Sequence, residues 1–266
     1  MRSMLSSRAA RLGVLLSLLF AFATAAAPAA VGADKYVALG DSFSSGVGTG
    51  SYTLSSSCRR GVYAYPWLVG QQRPNTALTF VACSGATTTS LLANQIGSVT
   101  ADTSIVSVTI GGNDIGFSDL VVQCTLANCS AALDNTRASL RTVLEPRLDA
   151  VYAAIRSRAL GASVVVLGYP RLFSTASCFG TLGISATERA KANLLAEDID
   201  TLSNERAGLA GVTYTSALGK FTGHAVCSSS AWVNGLNLLN TVESYHPNRN
   251  GNNFGYAALV RTTLGY

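Results

Sequence analysis

The stretch that decides the fold is "YVALGDSFSSG", residues 36–46. Its first four residues are β-branched, aromatic or otherwise apolar, as in a buried strand, and the run stops at Gly40. Asp41 and Ser42 follow at once. Because binding sites in open parallel sheets form beyond the carboxyl ends of the strands, the stretch predicts a functional hydroxyl at Ser42. Asp41 is interpreted as a residue that hydrogen-bonds locally and shapes the turn.

Further short apolar runs recur along the chain, and most are continuously apolar, as expected for strands buried on both faces of a parallel sheet. The predicted strands are residues 36–39, 78–82, 105–110, 163–167 and 212–215. Helical patterns occupy residues 65–72, 89–96, 128–158, 185–207 and 252–262. We expect an interruption near Pro146 and a capping box formed by Ser185 and Glu188. Alternating strands and helices predict a three-layer α/β/α domain with right-handed crossovers.

The beginning of the chain differs in character from the rest. Three arginines precede an apolar run at residues 12–23, and small residues follow up to Ala33. This order is typical of a secretory signal peptide, and the run is short for a membrane span. We therefore expect residues 1–33 to be a signal peptide and residues 34–266 to be a single domain of a secreted, extracellular protein. An uncleaved membrane anchor is the alternative.

Charge excludes one class of partner. Removal of the predicted signal peptide lowers the formal net charge from +5 to +2, since that segment holds three arginines and no acidic residue. The remaining basic residues form no cluster along the sequence, so we expect no nucleic-acid partner. We expect a monomer.

The six cysteines all follow the predicted signal peptide: Cys58, Cys83, Cys124, Cys129, Cys178 and Cys227. An even number in a secreted chain predicts disulfides, but the sequence alone leaves the pairing open. Cys124 and Cys129 are near enough to close a small loop. A zinc site is the competing interpretation; it lacks support because no Cys-x-x-Cys pair occurs and only two histidines exist, so no metal is predicted.

Small polar residues follow three of the predicted strands, in the segments "GDS" (residues 40–42), "CSGA" (83–86) and "GGND" (111–114). The segment "ESYHPN", residues 243–248, places His246 just before the last predicted helix. A serine nucleophile needs a base within hydrogen-bond reach and donors for the developing oxyanion. His246 is the candidate base, and His224 is interpreted as a packed structural residue near Cys227.

The blocks "GDS", "CSGAT", "GGND" and "HP", in this order, resemble those of the SGNH (GDSL) hydrolase superfamily. The stretches "ALGDSFSSG", "ACSGA", "TIGGND", "VLGYPR" and "SYHP", with six cysteines, are similar to its secreted actinobacterial lipase and phospholipase branch. The resemblance covers the chain from about residue 35 onward. It implies a flavodoxin-like three-layer sandwich with a five-stranded parallel sheet and a site that needs no metal or organic cofactor.

The resemblance also implies roles for individual residues. Ser42 would be the nucleophile and His246 the general base. The oxyanion hole would consist of the backbone N–H groups of Ser42 and Gly85 and the side-chain amide of Asn113. Glycine at position 85 is explained because a side chain there would obstruct the backbone N–H donor.

One position departs from the common family pattern, which has Asp three residues before the histidine. Here that residue is Glu243. Some relatives instead orient the histidine with a backbone carbonyl, which here would be that of Ser244. We favour the Ser244 carbonyl and keep Glu243 as the alternative. The disulfide pairing implied by the resemblance is sequential: Cys58–Cys83, Cys124–Cys129 and Cys178–Cys227.

The implied function is that of a secreted serine esterase acting on lipid esters, such as acylglycerols or phospholipids, through an acyl-enzyme on Ser42. The expected partners are such ester substrates, with transient contact to lipid surfaces, and residues 124–129 and 174–183 are candidate rim loops. One alternative is an acetyl esterase of carbohydrates; another is a non-catalytic lipid- or glycan-binding protein. The glycines of "GVGTG", residues 46–50, lack the spacing of a dinucleotide-binding loop. The Gly-x-Ser-x-Gly elbow of α/β-hydrolases is absent at Ser42.

Overall fold

The computed structural model of the chain describes residues 33–266, so nearly all of the predicted signal peptide lies outside the described residues. Five parallel strands form the sheet seen in this part of the chain: β1 Asp34–Gly40, β2 Thr76–Phe80, β3 Ile105–Thr109, β4 Ser163–Leu167 and β5 Thr213–Thr215. Their order across the sheet is β2-β1-β3-β4-β5, which is the flavodoxin-like order. The predicted α/β fold class is confirmed.

Burial of the strands follows their position in the sheet. Strand β3 lies at the centre between β1 and β4, and all of β3 and most of β1 and β4 are buried. Strands β2 and β5 form the edges and are partly exposed. Because a parallel sheet is covered by helices on both faces, the central strands need apolar residues on both sides, as their sequences show.

Seven α-helices are described: α1 Ser42–Ser45, α2 Tyr65–Gln72, α3 Thr88–Asn94, α4 Phe117–Gln123, α5 Ser130–Arg158, α6 Ala186–Leu209 and α7 Ala258–Leu264. A π-helical turn, Gly251–Ala257, leads into α7. Short 3-10 turns occur at Ile96–Ser98, Asn113–Ile115, Phe179–Thr181 and Thr241–Glu243. The sequence patterns predicted α2, α3, α5, α6 and the last helix, but not α1 or α4.

The expected interruption of α5 at Pro146 is wrong, because the helix runs through this proline. A proline inside a helix removes one backbone hydrogen bond and destabilises the helix by about 3 kcal/mol. The helix also buries an apolar stripe on both sides of Pro146, including Leu140, Leu144, Leu148 and Val151. Burial of each such side chain stabilises by about 1.5–3 kcal/mol, so the stripe outweighs the local defect.

The start of α6 confirms the predicted capping box. The backbone N–H of Glu188 donates to Ser185 Oγ at 3.3 Å, and the backbone N–H of Ser185 donates to Glu188 Oε2 at 2.9 Å. Glu188 Oε1 also accepts from the backbone N–H of Cys129 at 2.7 Å. One carboxylate therefore ties the start of α6 to the loop that precedes α5.

Three disulfides join Cys58 to Cys83, Cys124 to Cys129 and Cys178 to Cys227, which are the pairs that the family resemblance implies. Residues Ala33–Tyr266 form one compact unit. No helix within this unit is long and apolar enough to cross a membrane.

Candidate active site

Ser42 is placed at the carboxyl edge of the sheet by the junction between β1 and α1. Gly40 ends the strand with φ = +127°, and a Cβ there would lie 2.5 Å from both Ser44 Oγ and the Thr109 carbonyl oxygen. The backbone N–H of Asp41 donates to the same Thr109 carbonyl at 3.0 Å, which fixes the junction to β3. Glycine therefore lets the chain turn from strand to helix so that Ser42 becomes the first residue of α1.

Asp41 shapes this turn, as the sequence predicts. Its Oδ1 accepts from the backbone N–H of Phe43 at 2.9 Å and so caps α1. Its Oδ2 accepts from the hydroxyl of Tyr169, and that hydroxyl in turn accepts from the backbone N–H of Gly112 at 3.0 Å. Burial raises the pKa of Asp41 to about 7, and the hydrogen bonds from Tyr169 and Phe43 oppose that rise. Asp41 thus connects the loop that carries Ser42 with the loop that carries Asn113.

His246 contacts Ser42 directly. Its Nε2 lies 2.7 Å from Ser42 Oγ, and its Nδ1 lies 2.9 Å from the Ser244 carbonyl oxygen. The side chain is buried, and burial lowers the pKa of His246 to about 4, although the hydrogen bond to Ser244 raises it. The imidazole is therefore neutral at neutral pH. With Nδ1–H donating to the carbonyl, the lone pair of Nε2 is left to accept the Ser42 proton.

Glu243 and the Ser244 carbonyl, the two alternatives for orienting the histidine, lie in different places. Of these two groups, only the Ser244 carbonyl is hydrogen-bonded to the ring of His246. Glu243 Oε1 accepts instead from the hydroxyl of Tyr52 at 2.6 Å, and that hydroxyl accepts from the backbone N–H of Gly48 at 3.2 Å. The geometry favours Ser244, and Glu243 braces the histidine loop against residues 48–52.

Side-chain amides and close backbone contacts hold the histidine loop in place. The backbone N–H of Asn234 donates to the His246 carbonyl at 2.9 Å, and Asn234 Nδ2 donates to the Gly48 carbonyl at 2.8 Å. Gly48 has φ = +94°, and a Cβ there would lie 2.7 Å from the Pro247 carbonyl oxygen and 3.0 Å from His246 Cβ. This contact explains a glycine in "GVGTG": it lets the loop after Ser42 and the loop of His246 touch.

The oxyanion candidates lie beside this pair. Gly85 has φ = +79°, and a Cβ added there meets nothing within 4 Å, so crowding by protein atoms is not the reason for glycine. The left-handed backbone favours glycine instead. Asn113 Nδ2 donates to the Ala86 carbonyl at 2.9 Å, which orients the amide and leaves its second N–H for another acceptor. Ser42, Gly85, Asn113 and His246 line one cavity of about 440 Å³.

Asp114 fixes the loop that carries Asn113. Its carboxylate accepts from the backbone N–H of Thr88 at 2.9 Å and from the Thr88 hydroxyl at 2.6 Å. Arg147 Nη1 donates to the same carboxylate at 2.9 Å. The loop that carries Asn113 is therefore fixed to α3 and α5 through Asp114, in addition to the hydrogen bond from the Asn113 amide to the Ala86 carbonyl.

The other wall of the cavity was missed by the sequence analysis. Helix α4 supplies Val122 to this wall, and the turn Thr241–Glu243 supplies Val242. The apolar spacing of Phe117, Leu120 and Val121, all buried, could have indicated α4. A second cavity of about 490 Å³ meets the first at Ser84 and Gly85; Arg60 and Asn94 are among its lining residues.

His224 is packed away from the catalytic cavity, as predicted. Its ring stacks on Trp232 with 3.6 Å between ring centroids, and its Nδ1 lies 2.6 Å from the Ser230 carbonyl oxygen. Within residues 33–266, no group of three or more His, Cys, Asp or Glu side chains is arranged to hold a metal ion.

Comparison with known proteins identifies a set of similar enzymes. The family model described as GDSL-like Lipase/Acylhydrolase family matches residues 38–254. Lipase 1 of Streptomyces coelicolor is 42% identical over 244 residues, which is 90% of either chain. An extracellular lipase from Streptomyces rimosus superposes with a TM-score of 0.83 at 42% identity, covering 87% of this chain and all of the other. A phospholipase A1 from Streptomyces albidoflavus superposes with a TM-score of 0.82 at 40% identity, covering 87% and 99%.

Proposed function

The chain belongs to the GDSL-like lipase/acylhydrolase family, and from this premise we propose that it is a secreted serine lipase that hydrolyses carboxylic esters of lipids. The observation that carries the proposal is the 2.7 Å contact between Ser42 Oγ and His246 Nε2. The contact lies in a cavity that also exposes Gly85 and Asn113. The similar proteins named lipase and phospholipase A1 support lipid esters as the substrate class.

The reaction proceeds by acyl transfer. Ser42 Oγ attacks the ester carbonyl carbon while His246 Nε2 takes the hydroxyl proton. The backbone N–H groups of Ser42 and Gly85 and the amide of Asn113 stabilise the negative oxygen of the tetrahedral intermediate. The bond to the alcohol oxygen then breaks, the alcohol leaves with the proton from Nε2, and an acyl-enzyme remains. Water activated by His246 releases the acid and restores Ser42.

The carbonyl of Ser244 replaces the carboxylate of a catalytic triad in this scheme. It fixes the imidazole as the Nδ1–H tautomer, and its dipole stabilises the imidazolium that forms when Ser42 is deprotonated. A carbonyl dipole stabilises that cation less than a full negative charge would, so the His246 pKa stays low after burial. The base is therefore neutral, and ready to act, at mildly acidic as well as neutral pH.

An ester consists of an acyl group and an alcohol group, here called its two arms, and two cavities meet beside Gly85. The acyl chain lies along the wall of Val122 and Val242, and the alcohol arm enters the cavity lined by Arg60. Arg60 Nη1 donates to the Ala82 carbonyl at 3.1 Å, and its other N–H groups are available to a phosphate on that arm. This arrangement fits phospholipids as well as acylglycerols.

Secretion is part of the proposal, together with the monomeric state expected from the sequence. Secretion rests on the leader-like composition of residues 1–33, on three disulfides, which persist in oxidising compartments, and on the extracellular relative from Streptomyces rimosus.

Hydrolysis of short-chain and long-chain p-nitrophenyl esters tests the proposal. We expect turnover by the wild type and a loss of at least about a thousandfold in Ser42→Ala. Ser118→Ala, which alters another serine of the same cavity, should stay close to wild type and serves as the control. Equal activity of Ser42→Ala and wild type would exclude this nucleophile. Turnover of acetylated xylan without turnover of lipid esters would instead indicate a carbohydrate esterase, and ligand binding without any turnover would indicate a binding protein.

A further inference from the structure

Three segments near the active-site cavity contain no Asp, Glu, Lys or Arg: residues 120–133, 172–187 and 221–242. Charged residues make up 12% of the chain as a whole. Such residues normally cover loops, because their side chains favour water. Three neighbouring surface segments without any charged residue are therefore unusual and require an explanation.

The three segments touch one another. A Cβ at Gly183 would lie 2.2 Å from the Thr125 carbonyl oxygen, so the second segment packs on the first at van der Waals distance. The backbone N–H of Leu236 donates to the Gly180 carbonyl at 3.0 Å, which joins the third segment to the second. Val122 of the first and Val242 of the third both line the catalytic cavity. The three uncharged segments are thus connected and reach the cavity that contains Ser42, whose lining also includes one carboxylate, Asp119.

Large apolar side chains are exposed on this surface. Leu239 is 100% exposed and Leu126 is 84% exposed. We call the following set the apolar rim: Leu126, Phe179, Leu182, Leu238, Leu239 and Val242. Among the described residues, these are six of the thirteen large apolar side chains that are exposed. A contiguous exposed apolar patch marks an interaction site, in contrast to scattered single residues, which are ordinary.

Two disulfides cross-link the segments that carry the rim. Cys124–Cys129 closes the loop that carries Leu126, and Cys178–Cys227 ties the turn Phe179–Thr181 to the third segment. The exposed side chains are therefore displayed by a covalently braced surface, so docking does not have to order loose loops at an entropic cost.

We propose that the apolar rim docks the enzyme on the surface of aggregated neutral or zwitterionic lipid, with the catalytic cavity opening onto that surface. The proposal rests on the proposed lipase function and names the surface through which that function meets its substrate. The chemistry of the rim selects the kind of lipid. Because the rim segments carry no cation, they offer nothing to anionic head groups, and attraction comes from burial of apolar side chains. The contribution of the rim to docking is therefore expected to be insensitive to salt, in contrast to a contact between Arg60 and a phosphate in the adjoining cavity.

Binding to vesicles of phosphatidylcholine tests the rim without hydrolysis when all proteins carry Ser42→Ala. Leu238→Ser combined with Leu239→Ser removes two rim side chains that do not line the cavity. We expect about tenfold weaker partitioning, since one buried leucine contributes enough free energy for such a factor. The matched control is Leu160→Ser with Leu209→Ser. These leucines are 83% and 71% exposed, and they precede β4 and β5 at the amino edge of the sheet, away from the cavity. The control should bind like its parent.

Activity of the same leucine variants in the enzyme with Ser42 intact gives a second readout. Turnover of soluble p-nitrophenyl acetate should stay within about twofold for both pairs, because neither pair touches the reacting atoms. Turnover of emulsified triacylglycerol should fall about tenfold for the rim pair alone. A rim pair that binds vesicles and emulsion as well as the control pair does would overturn the proposal.

Three further outcomes separate competing explanations. A dimer in sedimentation that the rim variant converts to a monomer would assign the rim to a second copy of the chain and overturn lipid docking. Absence of turnover of soluble esters by the wild type would refute the lipase function, while the vesicle measurement on Ser42→Ala would still report on the rim alone. Loss of binding in about 0.5 M salt would show that charge drives docking and would likewise contradict the proposal.

Discussion

Ser42 and His246, the proposed nucleophile and base, are positioned by two different kinds of structure. Ser42 lies two residues beyond β1, which pairs with β2 on one side and β3 on the other, and it begins a buried helix. His246 lies between β5 and the π-helical turn, where the chain forms no strand of the sheet. There Asn252 donates from Nδ2 to the Pro247 carbonyl at 3.1 Å and accepts from the backbone N–H of Tyr65 at 3.0 Å.

This difference means that the two regions should respond differently to substitution. Many backbone hydrogen bonds and a continuous core hold the strand region, so a single change there affects folding before it moves Ser42. The histidine loop lies outside the sheet and is held by a few backbone and side-chain hydrogen bonds, so a single change there can move His246 while the sheet stays intact. Catalysis tolerates little movement, because small errors in position lower rates strongly.

The largest effect on activity is expected from replacement of His246, the proposed base. His246→Ala should lower kcat/KM by about a thousandfold to ten-thousandfold, since Ser42 then has no proton acceptor. The melting temperature should change little, because the loop is held by other residues. His224→Ala is the control; its ring stacks on Trp232 outside the cavity, so activity should persist. Comparable losses in both variants would contradict the assignment of His246.

The contact between the two regions is tested by Gly48→Ala. The added methyl group would press on the Pro247 carbonyl and His246 Cβ, and we expect kcat to fall about tenfold to a hundredfold as the histidine shifts. Gly50→Ala is a matched control, because Gly50 also has positive φ, +70°, but a Cβ there meets nothing within 4 Å. Both variants carry backbone strain of about 1 kcal/mol, and only Gly48→Ala displaces the loop. Equal kcat values in the two variants would show that strain alone decides the effect.

The acid limb of the pH–activity profile reports on the buried histidine. Since burial lowers the pKa of His246 to about 4, kcat/KM should stay on its plateau down to about pH 5 and fall below it. The folded state disfavours the charged imidazole, so the stability contributed by neutral His246 is present above about pH 6.5 and is lost as pH falls toward 4.

Two controls accompany this pH measurement. Melting temperatures at each pH separate titration from unfolding. Asp41→Asn removes the neighbouring carboxyl, whose pKa burial raises to about 7, and should leave the midpoint near 4 in place. If the midpoint of the acid limb in the wild type lies near pH 6.5, burial does not lower the pKa of the base, and the prediction is contradicted.

The smallest effect is expected at Glu243. Glu243→Gln should keep kcat within about twofold of wild type, because the Ser244 carbonyl and not this carboxylate holds Nδ1, and the amide oxygen can still accept from Tyr52. A loss of about a hundredfold or more would instead assign an orienting role to Glu243.

The contrast between the strand region and the histidine loop also explains which features could be predicted from the sequence. The strands and the position of Ser42 followed from apolar runs and from the residue that ends each run, since periodicity and turn chemistry are local properties. The choice between Glu243 and Ser244 did not follow, because it depends on Tyr52, which binds the carboxylate across 191 residues of sequence. The uninterrupted helix at Pro146 was missed for a related reason: burial of distant partners outweighed a local preference.

The walls of the cavity depend on tertiary contacts that local sequence patterns do not reveal. Helix α4 is short, so its apolar spacing indicates a helix but not where that helix lies; its place beside the turn Thr241–Glu243 comes from the fold as a whole. The reason for glycine at position 85 also needed coordinates, because space around a Cβ and the sign of φ are not visible in a sequence.

The hydrogen bond between Ser42 and His246 joins residues 204 positions apart. A ribosome builds a chain from its amino end, so the nucleophile emerges long before its base, and a chain still in synthesis has an inert serine. The same holds while a polypeptide is threaded through a translocation pore. An ester hydrolase with this separation becomes active only once synthesis has passed residue 246, which keeps the lipids of the producing cell out of reach of the unfinished enzyme.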